Sequence, residues 1–278
     1  MKRFVLAYLF VLTATIGLQA QKIVIAKGQK LETTISTKMT MTMEMMGQSM
    51  ENLTETVGTT VTEVKEASAN GFTLSQLLKK MTMNATMMGQ EISFDSDKKE
   101  DMDGQMGEAV KGKIGVEEEY KISATGKVLV APESKSGESN PMNDLSGVSG
   151  SIAVGQQLPY LVPVPSKTLK PGDTWVDSSG TAETVKLVNT YTLKEIKGDE
   201  LIVAVTGVMV KNGATEMNGM EMQIELNGTI KGESVYETAT GWLKNGSTNM
   251  DVKGSISVMG QSVPIDMKVV ATTAAKKL

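Results

Sequence analysis

Met39, Met41, Met43 and Met45 alternate with Thr40, Thr42 and Glu44. A period of two puts successive side chains on opposite faces of an extended strand, so the four thioethers share one face. Such a face supports two kinds of chemistry. As soft ligands, thioethers select Cu(I) over harder ions. As flexible, polarisable groups they fill irregular apolar space or line a surface that repacks around its ligand. Met81, Met83 and Met87 repeat the pattern in a second segment, and 12 of the 21 methionines lie between residues 39 and 106. Histidine and cysteine, the usual companions of methionine at copper, are both absent. The seven methionines are therefore the candidates for lining a groove for an acyl chain or another apolar ligand. No metal ligand set and no cofactor is assigned. A Met-based Cu(I) protein and a purely structural envelope protein are the alternatives.

The same absences narrow catalysis. Without histidine or cysteine there is no Ser-His-Asp or Cys-His nucleophile and no His-ligated zinc. The side chain that titrates most readily near neutral pH is missing, so no catalytic residue is assigned and the protein reads as a non-enzyme. The acidic run from Asp95 to Gly104 fits a calcium loop poorly. With Asp101, Asp103 and Gly104 at positions 3, 5 and 6, position 1 would be Lys99 and position 12 Val110. It reads as a solvated charged loop. Trp175 and Trp242 each adjoin a turn and read as packing anchors rather than sugar platforms.

These side chains must be positioned by strands. Runs of alternating character extend over 31–45, to about residue 66, over 72–88 with a phase change near Leu77-Leu78, and over 91–95. They resume at 116–130, from Trp175, over 185–194, 201–210 and 220–230, and over 242–259 and 263–271. The phase change implies a bulge. Met-Gly-Gln at 46–48, 88–90 and 259–261, Asn70-Gly71 and Asn218-Gly219 mark hairpin turns. The segment 95–112 reads as loop, and 158–165, with three prolines, as a connector.

Residues 1–20 read as a signal peptide: Lys2 and Arg3, the apolar run Phe4 to Leu18, and a cut after Ala20. No later segment reaches the 20 or so apolar residues of a spanning helix. Without the leader the balance is 26 Lys+Arg against 32 Asp+Glu, a net charge of −6. That disfavours nucleic acid and anionic membrane surfaces as partners, and leaves an apolar small molecule or an envelope protein. Residues 131–150, rich in Ser, Gly and Pro, read as a linker or long loop between a first unit, 21–130, and a second, 151–278. Each unit holds a Lys-Gly pair (111–112, 231–232), a tyrosine (Tyr120, Tyr236) and an Ala-Thr-Gly (124–126, 239–241) in the same order.

Together the export signal, the Met-Gly-Gln hairpins, the Pro-Gly-Asp-Thr-Trp turn at 171–175 and the Ala-Thr-Gly strand openers resemble an uncharacterised family of exported bacterial β-proteins. That resemblance implies a curved antiparallel architecture and supplies no site residues. The fold expected is all-β, with two related, strongly twisted antiparallel sheet units in a half-barrel or sandwich and few helices. The function expected is non-enzymatic binding in the periplasm, at the cell surface or in the medium.

Overall fold

A computed structural model describes residues 23–45, 47–87, 89–132, 152, 154–163, 169–180, 185–217, 220–258 and 261–278. The expected signal peptide and residues 133–150 of the expected linker lie outside them. The described chain is all-β, a 12-stranded sheet with two short helices. Its strands are β1 (Lys30–Met45), β2 (Gln48–Ser68), β3 (Gly71–Met87), β4 (Gln90–Asp95), β5 (Glu117–Ser123), β6 (Val128–Val130), β7 (Thr174–Ser179), β8 (Lys186–Lys197), β9 (Glu200–Met217), β10 (Met220–Glu237), β11 (Leu243–Val258) and β12 (Gln261–Lys277). Many are very long: β2 has 21 residues, against about five or six in an ordinary strand. Threonine and valine supply the β-branched side chains that favour such runs.

The turn residues act where the spacing places them. The last pairs of four ladders, Met45↔Gln48, Met87↔Gln90, Met217↔Met220 and Val258↔Gln261, bracket the Met-Gly and Asn-Gly dipeptides. Gly47 and Gly89 adopt φ of 77° and 78°, which only glycine takes without strain. In β3 the register passes from Thr60↔Leu78 to Thr59↔Lys80, so Lys79 is the extra residue of the expected bulge.

The strand order is β6-β5-β3-β2-β1-β12-β11-β10-β9-β8-β7, with β4 paired to β3. Strands from both sides of 131–150 thus belong to one continuous sheet. They meet where β1 pairs antiparallel with β12, from Leu31↔Lys277 to Met43↔Ile265. The outermost strands β6 and β7 approach without a ladder between them, and Lys127 Nζ, just before β6, lies 2.5 Å from Asp177 Oδ1 on β7. Tyr120 on β5 and Leu193 on β8 share one core cluster although seven strands separate them in the order. The sheet therefore curls, and its apolar positions face inward.

Two clusters fill the inner face. At one end Ile23, Ile25 and residues 158–162 cap the sheet. Leu161 bridges Trp242, the Val162 N–H donates to the Gly241 carbonyl at 2.9 Å, and Gln157 bridges Lys127. Residues 158–162 of the expected connector therefore form a plug buried with Phe72, Leu74, Tyr120, Tyr236 and Trp242. The two Ala-Thr-Gly segments turn the chain at this end, with Gly126 and Gly241 at φ 86° and 78° and Tyr120 and Tyr236 buried beside them. At the other end Met41, Met209, Ile224, Leu226, Ile230, Val252, Ile265, Met267 and Val269 form the second cluster.

The sequence departs from the structure at the charged loop. Residues 99–110 form α1 (Lys99–Met102) and α2 (Gln105–Val110), each under two turns long and without a side-chain cap. A single turn with no apolar stripe leaves no periodic signal.

Candidate functional site

Cross-strand register arranges the far end in rows. One inward row runs Leu187, Met209, Gly228, Val252, Met267, Met41, Asn52 across β8, β9, β10, β11, β12, β1 and β2. A second runs Asn189, Gly207, Ile230, Met250, Val269, Met39, Thr54, Ala85. A third, towards the tips of the long hairpins, runs Lys211, Leu226, Gly254, Ile265, Met43, Met50. Each lies about 7 Å from the next along the strands. Met41, Met209, Met267 and Val252 are buried, while Met39, Met43, Met250 and Ile256 are partly buried against them. Gly228 opens the first row, since a Cβ there would stand 3.3 Å from Met209 Cε and 3.0 Å from Val252 Cγ2. Among the described residues, every member of this cluster belongs to the sheet or, as Val185, leads into it.

Met39, Met41 and Met43 therefore lie together on the inner face. Met45 shares their strand, but its side chain lies outside the described residues, as does that of Met87. Met81 is buried and Met83 partly buried, yet both stand two strands away. Between them and β1 lies β2, whose Gly58 and Thr56 face Met81 and Met83. Among the described side chains, the β1 methionines Met39, Met41 and Met43 and the β3 methionines Met81 and Met83 do not form one apolar patch. The β1 set instead joins Met50 of the neighbouring β2, opposite Met43, and methionines from the second half of the chain, with Met41 opposite Met267. Met50, Met209, Met250 and Met267 were not among the candidates. Alternation within β9, β11 and β12 places Met209, Met250 and Met267 inward, but only the β1–β12 pairing brings them to the site, whereas the β1–β2 hairpin brings Met50.

Electrostatics separates the two faces. The outer face carries Glu32, Lys38, Glu55, Glu225, Lys231, Glu233, Asp251, Lys253 and Lys268 along the length of the strands. Many are paired: Lys38 with Glu55 at 2.7 Å, Lys253 with Asp266 at 2.8 Å, and Glu32 with both Lys276 and Lys79. Hydrogen bonds from Lys276 and Lys79 hold the Glu32 carboxyl below its ordinary range. A concavity of about 520 Å³, lined by Lys27, Glu63, Lys65, Glu66, Glu119 and Lys121 among others, is charged rather than apolar. Lys65 there is engaged by Glu63 and Glu117.

At the capped end Trp175 stacks on Tyr191 with ring centroids 5.7 Å apart, and Trp242 packs at 6.3 Å from Tyr160. The Tyr120 and Tyr160 hydroxyls hydrogen-bond to each other. Burial raises both phenols, Tyr120 well above its ordinary range, and pushes Tyr191 up to about 12. In the acidic segment Asp101 accepts the Asp95 N–H at 2.7 Å and Lys80 pairs with Asp95 and Asp97. Its acids thus serve the local fold. Among the described residues no group of three or more acids converges on a point where a metal ion could sit.

Residues 159–243 match the model of a family of unknown function (DUF6263). The match begins in the plug and ends at Leu243, so it takes in Trp175 and all of β7 to β10. No curated protein matches the chain. The chain is similar to the outer membrane channel of Pseudomonas putida F1, at 6% identity over 91% of this chain and 97% of that one, with a TM-score of 0.27. It is similar also to OccK5 of Pseudomonas aeruginosa, at 6% identity over 91% and 98%, with a TM-score of 0.24. TM-scores this low do not establish a common fold. The charged outer face is itself unlike the apolar band that a membrane-spanning barrel presents to lipid.

Proposed function

We propose that this is an exported, non-enzymatic protein that takes up an apolar ligand on the inner, methionine-bearing face of its curled sheet. The observation that carries this reading is the difference in cover between the two ends. Residues 158–162 and Ile23 and Ile25 seal one end, whereas among the described residues the far cluster is assembled from sheet side chains and Val185, with Met39, Met43, Met250 and Ile256 partly buried against it. Methionine suits such a position because its unbranched chain repacks at low cost. Export is supported by the leader-like pattern of residues 1–20, and a non-enzymatic role by the lack of histidine and cysteine.

The test is titration of the mature protein with the neutral probe N-phenyl-1-naphthylamine. The expected result is a saturable rise in probe emission that hexadecanol reverses. A protein that leaves the probe dark would have a plain core at its far end. For export, the expected first residue of the mature protein is Gln21, read by amino-terminal sequencing.

A further inference from the structure

Two-electron oxidation of this chain falls first on methionine, because cysteine is absent and methionine makes up 21 of 278 residues. A thioether takes one oxygen from a peroxide. The S–O bond forms, the O–O bond breaks, sulfur loses two electrons and the peroxide leaves as water. The product is a polar, chiral sulfoxide. Where it forms is set by access to the sulfur, and access on the inner face is graded. Met209 and Met267 are fully buried and Met41 is 8% exposed. Met39, Met43 and Met250 are partly buried and pack against that cluster, and Met50, opposite Met43, is partly buried as well. The capped-end cluster holds no methionine among the described residues.

The surroundings fix what a sulfoxide would do. Met250 sits between Ile230 and Val269 in its row, and Met43 between Ile265 and Met50. Asn52 and Lys211, the amide and the ammonium of these rows, already have polar contacts within the chain. A sulfoxide oxygen at Met43 or Met250 is therefore a strong acceptor set among apolar side chains, which is unfavourable until the side chain swings out to water. Swinging out takes packing away from the buried methionines behind it. Met39 stands beside Thr54, whose hydroxyl can donate, and is affected less. We propose that Met39, Met43, Met50 and Met250 form a reversible oxidation site whose sulfoxides loosen the far end while the capped end holds. The return step removes the oxygen as water and oxidises two thiols to a disulfide. This chain has no thiol, so the reductant is a separate thiol-dependent sulfoxide reductase. The site stands whether or not the inner face takes up an apolar ligand.

The experiment treats the folded protein with graded hydrogen peroxide, maps each sulfoxide by peptide mass spectrometry and follows the melting temperature in parallel. The four partly buried methionines are expected to reach half conversion at a dose at least about tenfold below that for Met41, Met209 and Met267, since the buried three wait for local opening. Each sulfoxide should lower the melting temperature by about 2–4 °C. Emission from Trp175 and Trp242, both at the capped end, should not change below the transition. Both epimer-specific sulfoxide reductases with dithiothreitol should restore mass and melting temperature together. Conversion of all seven methionines at one dose would overturn the proposal. So would an unaltered melting temperature once the four are oxidised, or a loss that reduction does not reverse. A variant carrying Met39→Leu, Met43→Leu, Met50→Leu and Met250→Leu should keep its melting temperature at the selective dose, and an undiminished fall there would also overturn the proposal. The mapping on unmodified protein needs no variant, so it decides the matter even if the fourfold variant does not fold.

Discussion

Around the plug, Phe72, Tyr120, Tyr160, Tyr236 and Trp242 meet in one cluster that includes no methionine among the described residues. At the far end Met41, Met209 and Met267 meet with Met39, Met43 and Met250 and, among the described residues, no aromatic side chain. Both lie on the inner face of the same sheet. Aromatic rings are rigid and bury large areas in fixed geometry, so the capped end is built to hold one arrangement. Thioether chains adapt, so the far end tolerates several. The difference divides the molecule into an aromatic end held by the plug and a methionine end built from sheet side chains.

The largest test of this division removes the capped end's anchor. Trp242→Ala, at a residue 1% exposed, should cost about 3–5 kcal/mol in urea unfolding. At the far end, Met267→Leu at a fully buried position should cost less than about 1.5 kcal/mol, because volume is nearly conserved and its neighbours repack. Equal losses at both sites would erase the contrast.

Alkali should strike the capped end. All four described tyrosines lie there, with Tyr120, Tyr160 and Tyr236 raised by burial and Tyr191 pushed up to about 12. A folded-state value above the unfolded one means stability is intact below about pH 10 and is lost as pH rises towards the folded values. Tyrosinate absorbance should therefore appear together with unfolding. Four phenols titrating near pH 10 in a folded protein would show the plug to be loosely held.

Acid should act more weakly and on the outer face. Lysine hydrogen bonds lower Glu32, Glu63 and Glu117. Their contribution is present above the ordinary carboxylate range and fades as pH falls through the lowered values. Since these groups are largely solvated, the expected drift in melting temperature is small and shrinks further in salt. The smallest effect belongs to the seam between β6 and β7. There Lys127→Met should change stability by less than about 1 kcal/mol, since a partly exposed pair holds edges that no ladder joins.

The strands, the hairpin dipeptides and even the β3 bulge were legible, because period-two alternation and Gly-containing turns are local signals. So was the inward face of Met39, Met41 and Met43. Their company was not, because pairing β1 with β12 is a long-range choice that no window reveals. The plug was hidden for a related reason: Leu158 to Val162 is apolar but aperiodic, and reads as a connector until Trp242 is seen against it. Lys211 escaped notice because β9 was expected to end at Val210, and the structure carries it on to Met217. Once the strand is extended, its spacing of two from Met209 is signal enough.

The same β1–β12 pairing sets an order on folding. Each half can zip its own hairpins from contacts close in sequence. The central ladder cannot form that way, since Leu31 meets Lys277 and Met43 meets Ile265, partners more than 200 positions apart. Closure over such distances slows folding far more than it weakens the result. A chain emerging with its amino terminus leading would hold β1 paired with β2 alone until the 17 residues of β12 had followed. Until then the two halves of the sheet stay unjoined, each holding only the hairpins it can close by itself.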